Sequence, residues 1–162
     1  MAVHYIIDGY NVINKISFLN CRKLRDSRDA LLKFIDLRHP QGSRSNKITV
    51  VFDGRDGVFN FNCNYGSSIV FTKNTSADDY IKSFVEQSGN PKNIVVVSDD
   101  KDIMFYCRSK GAMIMAVIDF IKKGYKTSNT SKQKDGDFSE ISYLERKKIN
   151  DELSRIWLKE IR

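Results

Sequence analysis

The chain has 162 residues, enough for one domain with its own core and too few for two comfortable ones. A hydrophobic content of 41% with 11% aromatics excludes a disordered polyelectrolyte, and a net charge of +7 favours an anionic partner, most simply nucleic acid. Three well-separated cysteines, Cys21, Cys63 and Cys107, with no CxxC pair and no clustered histidines, argue against a zinc site and suit a reducing compartment.

The charge is unevenly spread. Residues 1–50 carry 9 basic and 4 acidic side chains, residues 51–110 carry 7 and 8, and residues 111–162 carry 11 and 8. Acidic groups are therefore concentrated in the middle, between basic flanks. Asp8 interrupts the opening apolar run too early for a signal peptide, and nothing approaches the ~20 apolar residues of a membrane span. A cytoplasmic protein with no membrane partner is expected.

Taken in order, the chain opens with a strand at about Val3–Ile7 that ends abruptly in Asp8-Gly9-Tyr10-Asn11. A buried parallel strand looks like this when it delivers a side chain to the open edge of a sheet. The basic run Arg22-Lys23-Leu24-Arg25 leads into an amphipathic helix over roughly 24–37, with Leu24, Leu31, Phe34 and Ile35 on one face. Ile48–Asp53 repeats the opening pattern as a second strand, and the Gly- and Asn-rich stretch 54–67 reads as a loop. A short strand over Ser68–Phe71 precedes a helix over about 76–88, where Ala77, Tyr80, Ile81, Phe84 and Val85 keep strict helical spacing. Thr75 or Ser76 can cap that helix, with Asp78 or Asp79 three residues on. Strand four, Ile94–Val97, runs into Ser98-Asp99-Asp100-Lys101-Asp102, followed by a short helix to Lys110, a Gly111 cap and a fifth strand over Ala112–Val117. Alternating strands and helices, with almost wholly apolar strands, imply an α/β fold in which a parallel sheet is covered on both faces. This organisation divides the chain into a domain over 1–123, a polar linker or mobile loop over 124–137, and a C-terminal segment over 138–162 carrying an amphipathic helix at roughly 139–160.

In an open parallel sheet, ligands sit outside the carboxyl ends of the strands. Asp8, Asp53 and Asp100 fall at three such ends, and Asp78 falls at a helix start that follows another strand. Two carboxylates 5 Å apart repel by roughly 3 kcal/mol at an effective dielectric near 20, so such a cluster calls for protons or cations. Hard oxygen ligands suit Mg²⁺ or Mn²⁺, which take one or two carboxylates, waters and a substrate phosphate and can activate water against a phosphodiester. Each residue also has an ordinary reading. A lone Asp after a strand is more often a cap or turn former. Asp78 and Asp79 complement the helix dipole, Asp99 and Asp102 can cap the helix after strand four, and Asn11 can bond its own turn. Lys73 and Arg28 can be plain surface charge. The set is less probable by chance than any member, and it points to a metal-dependent nuclease whose basic flanks hold a polyanion.

Four blocks occur in order: Ile7-Asp8-Gly9-Tyr10-Asn11-Val12-Ile13; Val50-Val51-Phe52-Asp53; Val70-Phe71-Thr72-Lys73 with Thr75-Ser76-Ala77-Asp78-Asp79-Tyr80-Ile81; and Val96-Val97-Ser98-Asp99-Asp100 with Lys110-Gly111-Ala112. Together they resemble the YacP-like NYN-domain proteins, which are PIN-like endoribonucleases. The resemblance implies a PIN-like three-layer α/β/α domain with a central parallel sheet and a C-terminal helix. It also implies Mg²⁺- or Mn²⁺-dependent cleavage of RNA and, for bacterial members, action on mRNA at the ribosome. On it, Asp8, Asp78 and Asp100 take the catalytic acidic positions and, with Asp53, the metal. Asn11, Asp79, Asp99, Asp102 and Ser98 support them, while Arg28, Lys73 and Lys101 are the candidate RNA contacts. The chain departs from the family after Ala112, where Met113-Ile114-Met115 replaces a polar segment with a serine, and the loop at 54–67 does not align.

Two other function classes compete. A non-catalytic RNA- or ribosome-binding module would typically have lost an acidic position, and all are present. A phosphatase or phospho-acceptor domain of similar topology needs a second Asp two residues after the first, where Tyr10 stands, or an acidic doublet after strand one.

Overall fold

Five short runs of apolar and β-branched residues build the sheet, in a computed structural model that describes residues 2–54 and 67–126. Most of the expected loop at 54–67, the linker beyond 126, the C-terminal segment 138–162 and Cys63 lie outside the described residues. The strands are β1 (His4–Asp8), β2 (Lys47–Asp53), β3 (Ser67–Thr72), β4 (Ile94–Val97) and β5 (Met113–Met115). They pair in the order β3-β2-β1-β4-β5, every pairing parallel. The helices are α1 (Gly9–Lys15), α2 (Leu24–Arg38), α3 (Ala77–Glu86), α4 (Lys101–Ser109) and α5 (Val117–Lys126).

The wholly apolar Ile94-Val95-Val96-Val97 is buried along its length, because helices cover both faces of the sheet. Ile6, Val51 and Val96 point to one face and share a buried cluster with Ala77, Ile81 and Val85 of α3 and Ile103 and Cys107 of α4. On the opposite face Tyr5 meets Phe120 of α5, which in turn meets Phe34 of α2. The result is the three-layer α/β/α arrangement that the alternation implied.

Strand parity then does the positioning. Side chains two apart share a face, so Asp8 lies on the side of Ile6, and β1–β2 pairing sets Asp8 opposite Val51. Asp53, two residues beyond Val51, belongs to the same side. That side is the one covered by α3 and α4.

Three expectations change. Gly9–Lys15 is helix rather than a plain turn, so the opening motif is a strand running directly into α1. The fifth strand shrinks to Met113–Met115, and Val117 onwards forms α5, which extends to Lys126, past the expected start of the linker. Val117, Phe120 and Ile121 bury one face of that helix. Leu24, at the first position of α2, is 54% exposed, so the buried stripe starts at Ser27 and runs through Leu31, Phe34 and Ile35.

Candidate active site

The chain runs from β1 out through β2 to β3 on one side and returns to β4 on the other, which places a crevice at the carboxyl ends of β1 and β4. Asp8 closes β1 at this crevice and is only 7% exposed. One of its oxygens accepts from the backbone N–H of Asn11 at 3.2 Å, capping α1, and the other accepts from the hydroxyl of Ser98 at 3.3 Å. Ser98 Oγ also accepts from the Asp100 N–H at 3.1 Å. Asn11 spans the same gap: its side-chain oxygen accepts from the Asp99 N–H at 2.9 Å. The two strand ends are thus tied by a serine hydroxyl and an asparagine amide.

Asp100 is the N-cap of α4. Its Oδ1 accepts from Asp102 N at 2.8 Å and Ile103 N at 3.1 Å. Asp78 stands in the first turn of α3, whose cap is Ser76, accepting from Asp79 N at 3.0 Å. Asp53, at the exposed end of β2, accepts from the Thr72 hydroxyl at 3.4 Å. Parity and helix starts therefore bring one carboxylate each from β1, β2, α3 and α4 to one side of the sheet's carboxyl edge.

Burial and their mutual field shift the acidity of two of them. Burial raises the Asp8 pKa to about 6, with the Asp78 and Asp100 charges adding to the rise and the Asn11 N–H and Ser98 hydroxyl opposing it. Asp78 is raised as well, by burial first and then by Asp100, with smaller contributions from Asp79 and Asp53 that Lys82 counters. Carboxylates from four separate segments thus act on one another, the condition expected of a cluster that attracts cations.

The donors offered are all oxygens, which fits a hard cation. Among the described residues no group of three His, Cys, Asp or Glu side chains is gathered closely enough to hold an ion by itself. The edge is therefore not a closed protein cage. Its donor set matches the habit of Mg²⁺, which binds one or two carboxylates and completes its shell with waters and substrate phosphate.

The remaining expected residues divide. Asp99 turns away from the crevice: it accepts from Val117 N at 3.0 Å at the start of α5 and pairs with Lys15 at 3.5 Å, so it anchors α5 rather than capping α4. Asp79 and Asp102 are exposed in the first turns of α3 and α4 and serve the helix starts. Lys73 and Lys101 are exposed, one just after β3 and the other opening α4, at the same carboxyl edge. Arg28, expected as an RNA contact, is largely buried. It is 9% exposed, donates to the Tyr10 hydroxyl, and lies 5.2, 5.5 and 5.2 Å from the ring centres of Tyr10, Phe52 and Phe71. Those rings come from α1, β2 and β3, and the cation braces the site from behind. Thr72 and Lys15 join the site's supports, and neither takes a role from the sequence alone.

Because Asp100 both caps a helix and faces its acidic neighbours, the two roles separate by substitution. Asp100→Ala is expected to cost about 1 kcal/mol of stability and Asp100→Asn only a few tenths, since Asn caps as well as Asp. Urea unfolding of the two variants checks this, and equal stabilities would remove the capping role.

A cavity of about 470 Å³ bordered by His4, Lys47, Phe84 and Asn93 lies at the amino ends of the strands, the pole opposite the carboxylates. Among the described residues, no helix is long and apolar enough to cross a membrane.

Comparison with known proteins bears on the family and the fold. The family model described as "YacP-like NYN domain" matches residues 5–162. Two crystal structures of Rae1 (YacP) from Bacillus subtilis are similar to the chain. One matches with a TM-score of 0.64 at 19% identity, covering 99% of this chain and 84% of that one. The other, a tryptophan-to-leucine variant, matches with a TM-score of 0.62 at 21% identity, covering 78% and 77%. At these identities the likeness is one of fold. No curated protein matches the chain.

Proposed function

Because the chain belongs to the YacP-like NYN domain family, a nuclease-like family with a PIN-like fold, we propose that it is a Mg²⁺- or Mn²⁺-dependent endoribonuclease. The observation that carries this is the placement of Asp8, Asp78, Asp100 and Asp53 at one edge of the sheet, at the ends of β1 and β2 and the starts of α3 and α4. Asp8, Asp78 and Asp100, with Asp53 at the rim, would hold the ion. When bound, it supplies a polarised water and a counter-charge for the phosphodiester being cleaved.

The chain's own residues do the rest. Asn11 and Ser98 fix both oxygens of Asp8, and the α4 cap fixes Asp100, so the carboxylates are oriented before substrate arrives. Below about pH 6 Asp8 keeps a proton, and a cation must displace it. Lys73 and Lys101, exposed at the same edge, are placed to meet phosphates to either side. Messenger RNA at the ribosome is the substrate setting that the family resemblance offers.

Purified protein is expected to cut RNA with Mg²⁺ or Mn²⁺ and to stop in excess EDTA, activity returning when the ion is restored. Cleavage undiminished by EDTA would refute the metal mechanism. RNA binding with no cleavage under any divalent ion would assign a binding module in place of an enzyme.

A further inference from the structure

Helix α4 buries Ile103 and Cys107 against the sheet, so the residues half a turn away face solvent. Lys101, Phe105 and Arg108 stand there at i, i+4 and i+7, in one row along the helix. All three are exposed, and Phe105 is 74% exposed. The row begins one residue after Asp100 and extends about 10 Å along the helix axis away from it. Neither cation is held in an ion pair among the described residues, whereas the neighbouring Lys110 is bound by Glu86 at 2.6 Å. Asp102 lies about 100° around the helix from Lys101, off the row.

A single exposed aromatic on a surface is ordinary. One set between two cations, on a helix that starts at the acidic crevice of a chain with net charge +7, has the make-up of a single-strand platform. We propose that the Lys101–Phe105–Arg108 face of α4 is the track along which single-stranded RNA enters the crevice, Phe105 stacking on an unpaired base and the two cations taking phosphates on either side of it. A duplex keeps its bases stacked inside and offers Phe105 no face, so the track selects single strands. The proposal rests on the nuclease reading above for what happens at the end of the track, and adds to it the strandedness of the substrate.

The test uses full-length protein carrying Asp8→Asn, without divalent ions so that RNA stays intact, and reads fluorescence anisotropy with a labelled oligoribonucleotide, single-stranded or annealed to its complement. Phe105→Ala is expected to weaken single-strand binding roughly tenfold or more, to leave duplex binding unchanged, and to leave the thermal midpoint unchanged. Phe105→Trp should restore the affinity. Lys101→Gln and Arg108→Gln should each flatten the salt dependence by a log–log slope of about 0.7. Unchanged single-strand affinity in Phe105→Ala would overturn the track. So would an equal loss for single strand and duplex, or a change in self-association with RNA affinity untouched. If that variant binds as before while the Asp8-intact protein still cuts RNA, only the track fails. If Phe105→Ala loses binding in a protein that never cuts under any ion, the track stands and the nuclease reading fails.

Discussion

Asp8→Asn is expected to abolish RNA cleavage and, at pH 8, to make the protein more stable. The two effects share a cause. Asp8 is buried beside two other acidic groups, and its pKa is raised from 3.8 to about 6. The native state therefore holds this proton more tightly than the unfolded chain does. Stability contributed by the proton is present below about pH 4, declines as pH rises toward 6, and is gone above it. Above pH 6 the folded protein carries a charge in a place that disfavours it, a penalty bounded at roughly 3 kcal/mol by the rise from 3.8 to about 6. Asn removes the charge while keeping an oxygen for the Asn11 N–H. Unfolding by urea without divalent ions should show Asp8→Asn more stable than wild type by about 1–3 kcal/mol at pH 8 and little different at pH 4. A gap independent of pH would contradict the buried-charge account. Mg²⁺ should raise the thermal midpoint of wild type and not of the variant, and cleavage should fall at least ~100-fold, the scale of several kcal/mol of lost charge stabilisation. Strain held at a site for function is a familiar trade against stability.

What made the acidic carboxyl edge readable from sequence was repetition at strand ends. Apolar runs terminating in Asp8 and Asp53, and a third leading through Ser98-Asp99 to Asp100, mark the carboxyl edge without any knowledge of pairing. The spacing of Ala77, Ile81 and Val85 fixes α3 and with it Asp78. Adjacent choices were harder. Asp99 and Asp100 differ by one position, yet one anchors α5 and the other caps α4, a distinction set by contacts with Val117 and Lys15 that lie far off in sequence. Helix α1 is short and, apart from its last residue Lys15, composed of Gly, Tyr, Asn, Val and Ile, poor helix formers whose state is decided by tertiary packing. Helix α5 has a readable stripe in Val117, Phe120 and Ile121, but it continues directly from an apolar strand, so periodicity alone gave no boundary. Arg28 is the clearest limit. A cation on a helix reads as solvated, and only the convergence of Tyr10, Phe52 and Phe71 from three elements shows that it is buried. Phe105 is the converse: the helical phase set by Ile103 and Cys107 already turns it outward.

Gly9→Ala should be strongly destabilising, although alanine is ordinarily the better helix residue by about 1 kcal/mol. Gly9 is the first residue of α1 and is buried. A Cβ there would stand 2.3 Å from Cε1 and 2.5 Å from Cδ1 of Phe52. That ring cannot easily retreat: it is fully buried, stacked on Phe71 at 5.5 Å, against Tyr10 at 5.2 Å, and under the Arg28 guanidinium. Relief must come from displacing the aromatic layer or from shifting α1, and overpacking of this kind costs typically 1–3 kcal/mol, occasionally more. Because Gly9 follows Asp8 directly, a shift of α1 also disturbs the bonds from Asn11 and Ser98 that orient the carboxylate. Gly9→Ala is therefore expected to lose about 2 kcal/mol or more in urea unfolding and to lose cleavage with it. Phe52→Leu, which removes the two clashing atoms' ring, should cost stability alone yet cost less in the Gly9→Ala background, a favourable coupling in the double-mutant cycle. Gly89→Ala, where a Cβ meets nothing within 4 Å, is the control and should be close to neutral. If Gly9→Ala were as harmless as Gly89→Ala, the glycine of the opening motif would not be there to let the start of α1 pack tight against Phe52.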